Sequence, residues 1–180
     1  MKLPLSYYLN EDVVSVAHDL IGKELFTNIN GQLTSGIISE TEAYAGTSDK
    51  ASHAYSGKPT NRTKTMFMEG GRSYVYLCYG IHHLFNIVTG GKNLPHAVLI
   101  RGIIPNSGID IIKHRRNQNT LTNISNGPGK LSKAMAISTI YNNIDLQGTK
   151  IWIEEKKLNG IFEIETTKRI GIDYAEEDAL

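Results

Sequence analysis

Apolar residues recur every three to four positions through Val13, Val14, Ala17, Leu20 and Ile21, a spacing that predicts an amphipathic helix. Asn10 is its expected N-cap, followed by Glu11 and Asp12, and Gly22 is its expected stop. Residues 22–44 then read as a β-hairpin with Asn30-Gly31 at the turn. Side chains alternate faces along a strand, so Ile38, Glu40, Glu42 and Tyr44 are expected on one side and Ser39, Thr41 and Ala43 on the other. The second set is small and a poor candidate for burial, so the acidic side is expected to face a cleft. A solvent-exposed edge strand carrying Glu for solubility is the plainer alternative.

Periodicity is lost over residues 45–71, which are rich in Gly, Pro, Ser, Thr and Asn. A loop of this length in a compact domain often carries function. Three strands follow in 72–80, 84–90 and 96–104, with turns at Gly80–His83 and Gly90–Pro95, and read as a meander. Pro105 and Ser107 precede a predicted helix over about 108–118, then a polar stretch at 117–125. Pro128 marks another helix start, with Leu131, Ala134, Met135 and Ile137 on one face. Strands are predicted in 149–155 and 161–172. Helices and strands do not alternate regularly, so the expected class is α+β, a single compact domain with a curved, mainly antiparallel sheet flanked by helices.

Composition narrows the class further. At 180 residues, 40% hydrophobic and 21% charged, the chain fits one soluble globular domain with a real core. Cys78 is the only cysteine, which excludes an internal disulfide and a thiolate zinc cluster. No apolar run approaches the roughly 20 residues of a membrane span. The opening residues are too few and too polar for a secretion signal. Net charge is +1, yet residues 173–180 hold four acids and no base, so the remainder carries +5. Its basic groups gather at Lys58, Arg62 and Lys64, at Lys113 to Arg116, and around Lys130 and Lys133. They make a phosphate track only if they converge on one face.

Several residues could carry chemistry. Tyr74 and Tyr76 share a strand face, while Tyr79 sits at a hairpin tip beside Gly80, a place suited to a stiff projecting wedge. Arg101 interrupts an apolar strand; its guanidinium cannot lose its proton and must find a carboxylate or a phosphate. His53, His82, His83 and His96 show no metal-binding rhythm. There is no phosphate loop and no nucleophile elbow. Two classes fit these pieces. One is a hydrolase that cleaves a glycosidic bond, its carboxylate stabilising a cation-like transition state. The other is a module that stacks bases on tyrosines without chemistry, although such a module has no use for Arg101 beside paired acids.

Five separated motifs then converge: "ETEAY" at 40–44, "ASHAYSGKPTNRTKTMF" at 51–67, "GRSYVYLCYGIHHLFNIV" at 71–88, "AVLIRGIIP" at 97–105 and "NGPGKLSKAMAI" at 126–137. Together, over about residues 11 to 177, they resemble the alkyladenine (3-methyladenine) DNA glycosylase family. The resemblance implies a monofunctional base-excision-repair enzyme without metal or cofactor, acting as a monomer on damaged double-stranded DNA and not on a membrane. It would flip alkylated or deaminated purines (3-methyladenine, 7-methylguanine or hypoxanthine type) out of the duplex and hydrolyse the N-glycosidic bond, leaving an abasic site. By position, Glu42 would deprotonate the attacking water. Arg101 and a backbone carbonyl near Ile170 would help hold it. Tyr44 and Tyr76 would sandwich the base, with His53 opposite Tyr44. Asn86 would test a guanine amino group, and Tyr79 would fill the gap in the duplex. Glu40 is expected to pair with a nearby cation. The enzyme is expected at the nucleoid in a bacterial cytoplasm, or in a nucleus if eukaryotic. Family members usually continue past the position of Leu180 with a further strand, whose loss is expected to expose a sheet edge.

Overall fold

The computed structural model describes residues 1–157 and 163–170. In chain order these form α1 (Leu5–Tyr8), α2 (Val13–Leu20), β1 (Glu24–Ile29), β2 (Gln32–Tyr44), β3 (Ser73–Cys78), β4 (His82–Thr89), β5 (His96–Ser107), α3 (Ile109–Arg116), α4 (Pro128–Ala134), a short 3₁₀ turn (Thr139–Tyr141) and β6 (Ile151–Glu154). The strands make one sheet in the order β3-β4-β5-β2-β1-β6, and all five pairings are antiparallel. The α+β class and the meander of β3, β4 and β5 stand as expected.

Local chemistry explains most element ends, and it moves some of them. The cap of α2 is Asp12 and not Asn10: the Asp12 carboxylate accepts the Ser15 N–H at 3.0 Å, while Asn10 accepts the N–H of Asp12. The hairpin turn has Asn30 at φ 54° and Gly31 at φ 76°, the left-handed pair that a two-residue turn demands. Strand β5 runs on through Pro105 to Ser107, beyond the Pro105 at which the sequence suggests a helix approach. A proline lacks a ladder donor, and here it lies opposite Gly36 beside a register shift, where an interior strand tolerates it. Helix α3 stops at Arg116 because Asn117 turns left-handed at φ 51°. The strand expected over 161–172 is not formed within 163–170; residues 161, 162, 171 and 172 lie outside the described residues, as does the acidic 173–180 stretch.

The sheet divides the interior in two. On one face Val75, Phe85, Ile87, Val98 and Ile100 join Val16 and Leu20 of α2, Ile112 of α3 and Leu131 of α4 in the main core. Burying each such side chain is worth about 1.5–3 kcal/mol. On the other face Tyr74, Val88 and Ala97 pack with Ala54 and Met66 from the 45–71 loop. This loop is therefore a lid on half of the sheet, anchored by buried Asp49, Ala51, Ser52, Thr63 and Thr65.

Strand β2 departs from simple alternation. Its register against β5 shifts on either side of Glu40, and neither Ser39 nor Arg101 has a ladder partner. Such an irregularity re-aims side chains. Ile38 consequently enters the main core with Ile100 and Ile103, instead of sharing a face with Glu40, Glu42 and Tyr44. The small side is at most half-buried, as expected: Ser39 is exposed, Thr41 donates to the Ala17 carbonyl of α2 at 2.9 Å, and Ala43 packs on the rim of the main core, while Glu42 on the other side is the buried residue. Small residues let the helix approach. Strand β2 is not an edge strand of the sheet, although β1 covers only Gln32–Ile37 of it.

Candidate active site

The lid and the open end of the second sheet face enclose a cleft of about 300 Å³. Ladder register aligns its floor. Tyr74 pairs with Asn86, Asn86 with Leu99, and Leu99 with Glu42, so four strands present these side chains in one row on one face. With strands about 4.8 Å apart, the row is about 14 Å long. Tyr44 stands one step along β2, Tyr76 one step along β3, and Arg101 one step along β5. All line the cleft, joined by His53 and Arg62 from the lid and by Ile170.

Glu42 is 6% exposed, and two hydrogen-bond donors and one cation hold it. Its Oε1 accepts the Ile170 N–H at 2.9 Å and lies 3.2 Å from Arg101 Nη1, while Oε2 accepts the Tyr44 hydroxyl at 2.9 Å. Each carboxylate oxygen has two lone-pair positions. Oε1 takes one hydrogen bond and the Arg101 charge, and Oε2 keeps one position for a proton or a further donor. Arg101 donates from Nε to Glu40 at 2.8 Å, so Glu40 has the cationic partner expected of it. Burial alone would lower the Arg101 pKa; the Glu40 hydrogen bond and the Glu42 charge outweigh it and hold the guanidinium firmly charged.

The aromatic wall is neutral. Tyr74 and Tyr76 lie with ring centres 5.5 Å apart, and His53 meets Tyr76 edge-on at 4.6 Å. Arg62 Nη2 donates to His53 Nε2 at 3.0 Å. A guanidinium has no acceptor, so the imidazole proton sits on Nδ1, 3.1 Å from the Tyr74 hydroxyl. Although His53 as a residue is exposed, its packing against the rings, then the Arg62 charge, lower its pKa to about 4. Burial pushes the Tyr74 hydroxyl up to about 12 and raises Tyr76 and Tyr44, the latter helped by Glu42. Asn86 is buried, and its amide hydrogens point at the backbone carbonyls of Tyr74 (3.0 Å) and Leu84 (3.5 Å), which leaves Oδ1 to face a ligand. Tyr79 stands at the β3–β4 tip, 92% exposed, with φ 50°.

The seven residues singled out in the sequence thus meet at one cleft or its rim. The sequence reading gave no pocket role to three more, although it noted Tyr74 beside Tyr76 and Arg62 among the basic groups. Tyr74 forms part of the wall, a role its shared parity with Tyr76 signals. Arg62 lies 4.9 Å over the Tyr76 ring, and Arg169 lies 4.8 Å over the Tyr44 ring. Nothing local marks Arg169, whose carboxylate partner Asp49 is 120 residues away. Two residues of the Lys113–Arg116 cluster are structural: Arg115 donates to the Ala134 carbonyl and Arg116 to that of Ile124. Among the described residues no group of three or more His, Cys, Asp or Glu is placed to hold a metal ion, and no helix is long and apolar enough to cross a membrane.

Comparison with known proteins decides the class. The family model described as methylpurine-DNA glycosylase matches residues 7–180. The chain belongs to this family. Its relatives include proteins provisionally named 3-methyladenine DNA glycosylases. That of Chlamydia felis is 51% identical over 97% of this chain and 90% of its own length. That of Chlamydia abortus is 50% identical over 97% and 92%. That of Natranaerobius thermophilus is 46% identical over 98% and 90%. The enzyme is therefore a DNA glycosylase, a hydrolase of the N-glycosidic bond in the repair of alkylated bases.

Proposed function

We propose that the cleft receives a damaged purine swung out of duplex DNA and that Glu42 activates the water that hydrolyses its N-glycosidic bond. The observation that carries this reading is the setting of Glu42: a buried carboxylate with a lone-pair position open on Oε2, at the end of a tyrosine-lined slot. A base within a duplex stack cannot reach a cleft of this depth, so the nucleotide must leave the helix. Tyr79 supplies a projecting ring at the rim to occupy the space left behind. Tyr44 and Tyr76 hold the base between π faces, His53 stands at its edge, and Asn86 Oδ1 reads the base's amino-group side.

As the purine departs, positive charge grows on the sugar. Glu42 stabilises that charge and takes the water's proton on Oε2, while Arg101 and the Ile170 carbonyl hold the water. Alkylation at a ring nitrogen makes the purine cationic, which favours both its stacking on tyrosine and its departure. Among the described residues no lysine lines the cleft to form a Schiff base. The expected product is an abasic site in an intact strand. Purines of the 3-methyladenine, 7-methylguanine and hypoxanthine type are the proposed substrates.

The deciding experiment is single-turnover release of base from duplexes carrying hypoxanthine or a methylpurine, with alkali treatment to reveal abasic sites. Glu42→Gln is expected to bind the duplex as the parent does and to lose release by a hundredfold or more. Release within tenfold of the parent removes Glu42 as the base. Strands that stay alkali-stable with the parent enzyme reject hydrolysis in favour of binding alone.

A further inference from the structure

Resting on that function, we propose that Arg169 and Asp49 form a clamp that positions Glu42 for catalysis from the lid side of the cleft. Arg169 Nη1 donates to Asp49 Oδ2 at 2.7 Å, and Nη2 donates to Oδ1 at 3.0 Å. Their side chains are 8% and 6% exposed, so the pair is desolvated on both sides. Asp49 also accepts the N–H groups of Ala45 and Ala51, which fixes the first turn of the lid. Burial would raise the Asp49 pKa, but Arg169 and these two amides outweigh it and keep it ionised.

Three contacts tie this pair to the reacting group. Arg169 Nη1 also donates to the Ala43 carbonyl at 2.7 Å, on the stretch of β2 that β1 leaves uncovered. Its guanidinium lies over the Tyr44 ring, whose hydroxyl donates to Glu42 Oε2. The next residue, Ile170, donates its N–H to Glu42 Oε1. Residues 163–168 and 170 are exposed and make no helix or strand, so Arg169 is the buried anchor of its segment. Both hydrogen-bond donors on Glu42 are thereby set through one side chain. Only a planar fork can serve Asp49 through two nitrogens while reaching a carbonyl; lysine brings the charge without that geometry. The clamp joins the lid, β2 and the 163–170 segment, so lid closure and carboxylate alignment become one event.

The test compares the full-length parent with Arg169→Lys, Asp49→Asn and the double variant. It measures single-turnover hypoxanthine release, the Kd for the same duplex, and Tm. The expected result is a rate at least tenfold lower in each single variant, a Kd changed less than threefold, and a double variant no slower than the worse single one. Rates within threefold of the parent overturn the clamp while leaving the proposed function intact. So does a rate loss that only follows the loss of folded protein, read by Tm and circular dichroism. A parent that releases no base overturns the proposed function, and the clamp with it.

Discussion

At the scale of single residues, the cleft is built from groups whose charge state is decided by neighbours far off in sequence. His53 shows this in a measurable way. Its folded-state pKa is about 4, below the ordinary 6.5, because ring packing and then Arg62 disfavour the imidazolium. Between these values the unfolded chain binds a proton that the folded chain does not, so stability declines as pH falls from about 6.5 to about 4 and then levels off. His53→Gln is expected to flatten that decline, as read by urea midpoints across the window; an unchanged slope would mean that His53 titrates normally. Glu42 and its neighbour Glu40 are told apart by their partners. Both meet Arg101, but Glu42 alone also takes Tyr44 and the Ile170 amide, and it is the one shielded from solvent. A sequence presents two equivalent acids here, and only their surroundings separate them.

At the scale of elements, the β3–β4 hairpin carries a conflict between stability and use. Tyr79 has φ 50°, a left-handed conformation that costs a bulky residue about 1–2 kcal/mol, and it buries almost nothing in return. Leu77 and Ile81 beside it are also exposed. Strain of this kind persists where a projecting side chain has work outside the fold. Tyr79→Gly is therefore expected to leave Tm equal or higher. The same substitution is expected to weaken binding to lesion duplex by about 1–3 kcal/mol, the scale of base–aromatic stacking. A gel-shift titration showing the parent's affinity would remove the wedge. Strand β2 carries the converse lesson. Its irregularity around Ser39 and Glu40 sends Ile38 to the core and Glu42 to the cleft, so one strand feeds both faces.

At the scale of the whole molecule, the sheet separates a face packed against helices from a face that carries the cleft. The main core and the helices lie on one side, the lid and the cleft on the other. The net charge of +1 is small, so attraction to a phosphate backbone has to come from local groups such as Arg62 at the cleft. Binding to lesion duplex is expected to weaken steeply with salt, each neutralised phosphate contributing about 0.9 to the slope of log K against log salt. A flat response would turn the reading toward a small glycoside as substrate.

The sequence by itself determined the helix and strand periods, the Asn30-Gly31 turn, the α+β class and, through five motifs in order, the family. These follow from local rules: the alternation of side chains, the φ that glycine allows, the spacing of a helical face. Tyr79 and Arg101 stood out locally, one at a hairpin tip and the other inside an apolar strand, whereas Tyr44 and Tyr76 follow the strand alternation and drew their expected roles from the resemblance. Tertiary structure alone decided that Ile38 turns away from Glu42, that Asp12 and not Asn10 caps α2, and that Arg115 and Arg116 are bracing and not a phosphate track. It alone brought Asp49 and Arg169 together across 120 residues. The physical reason is common to all of these: a ladder shift or a buried ion pair is settled by competition among partners that only the folded chain makes neighbours.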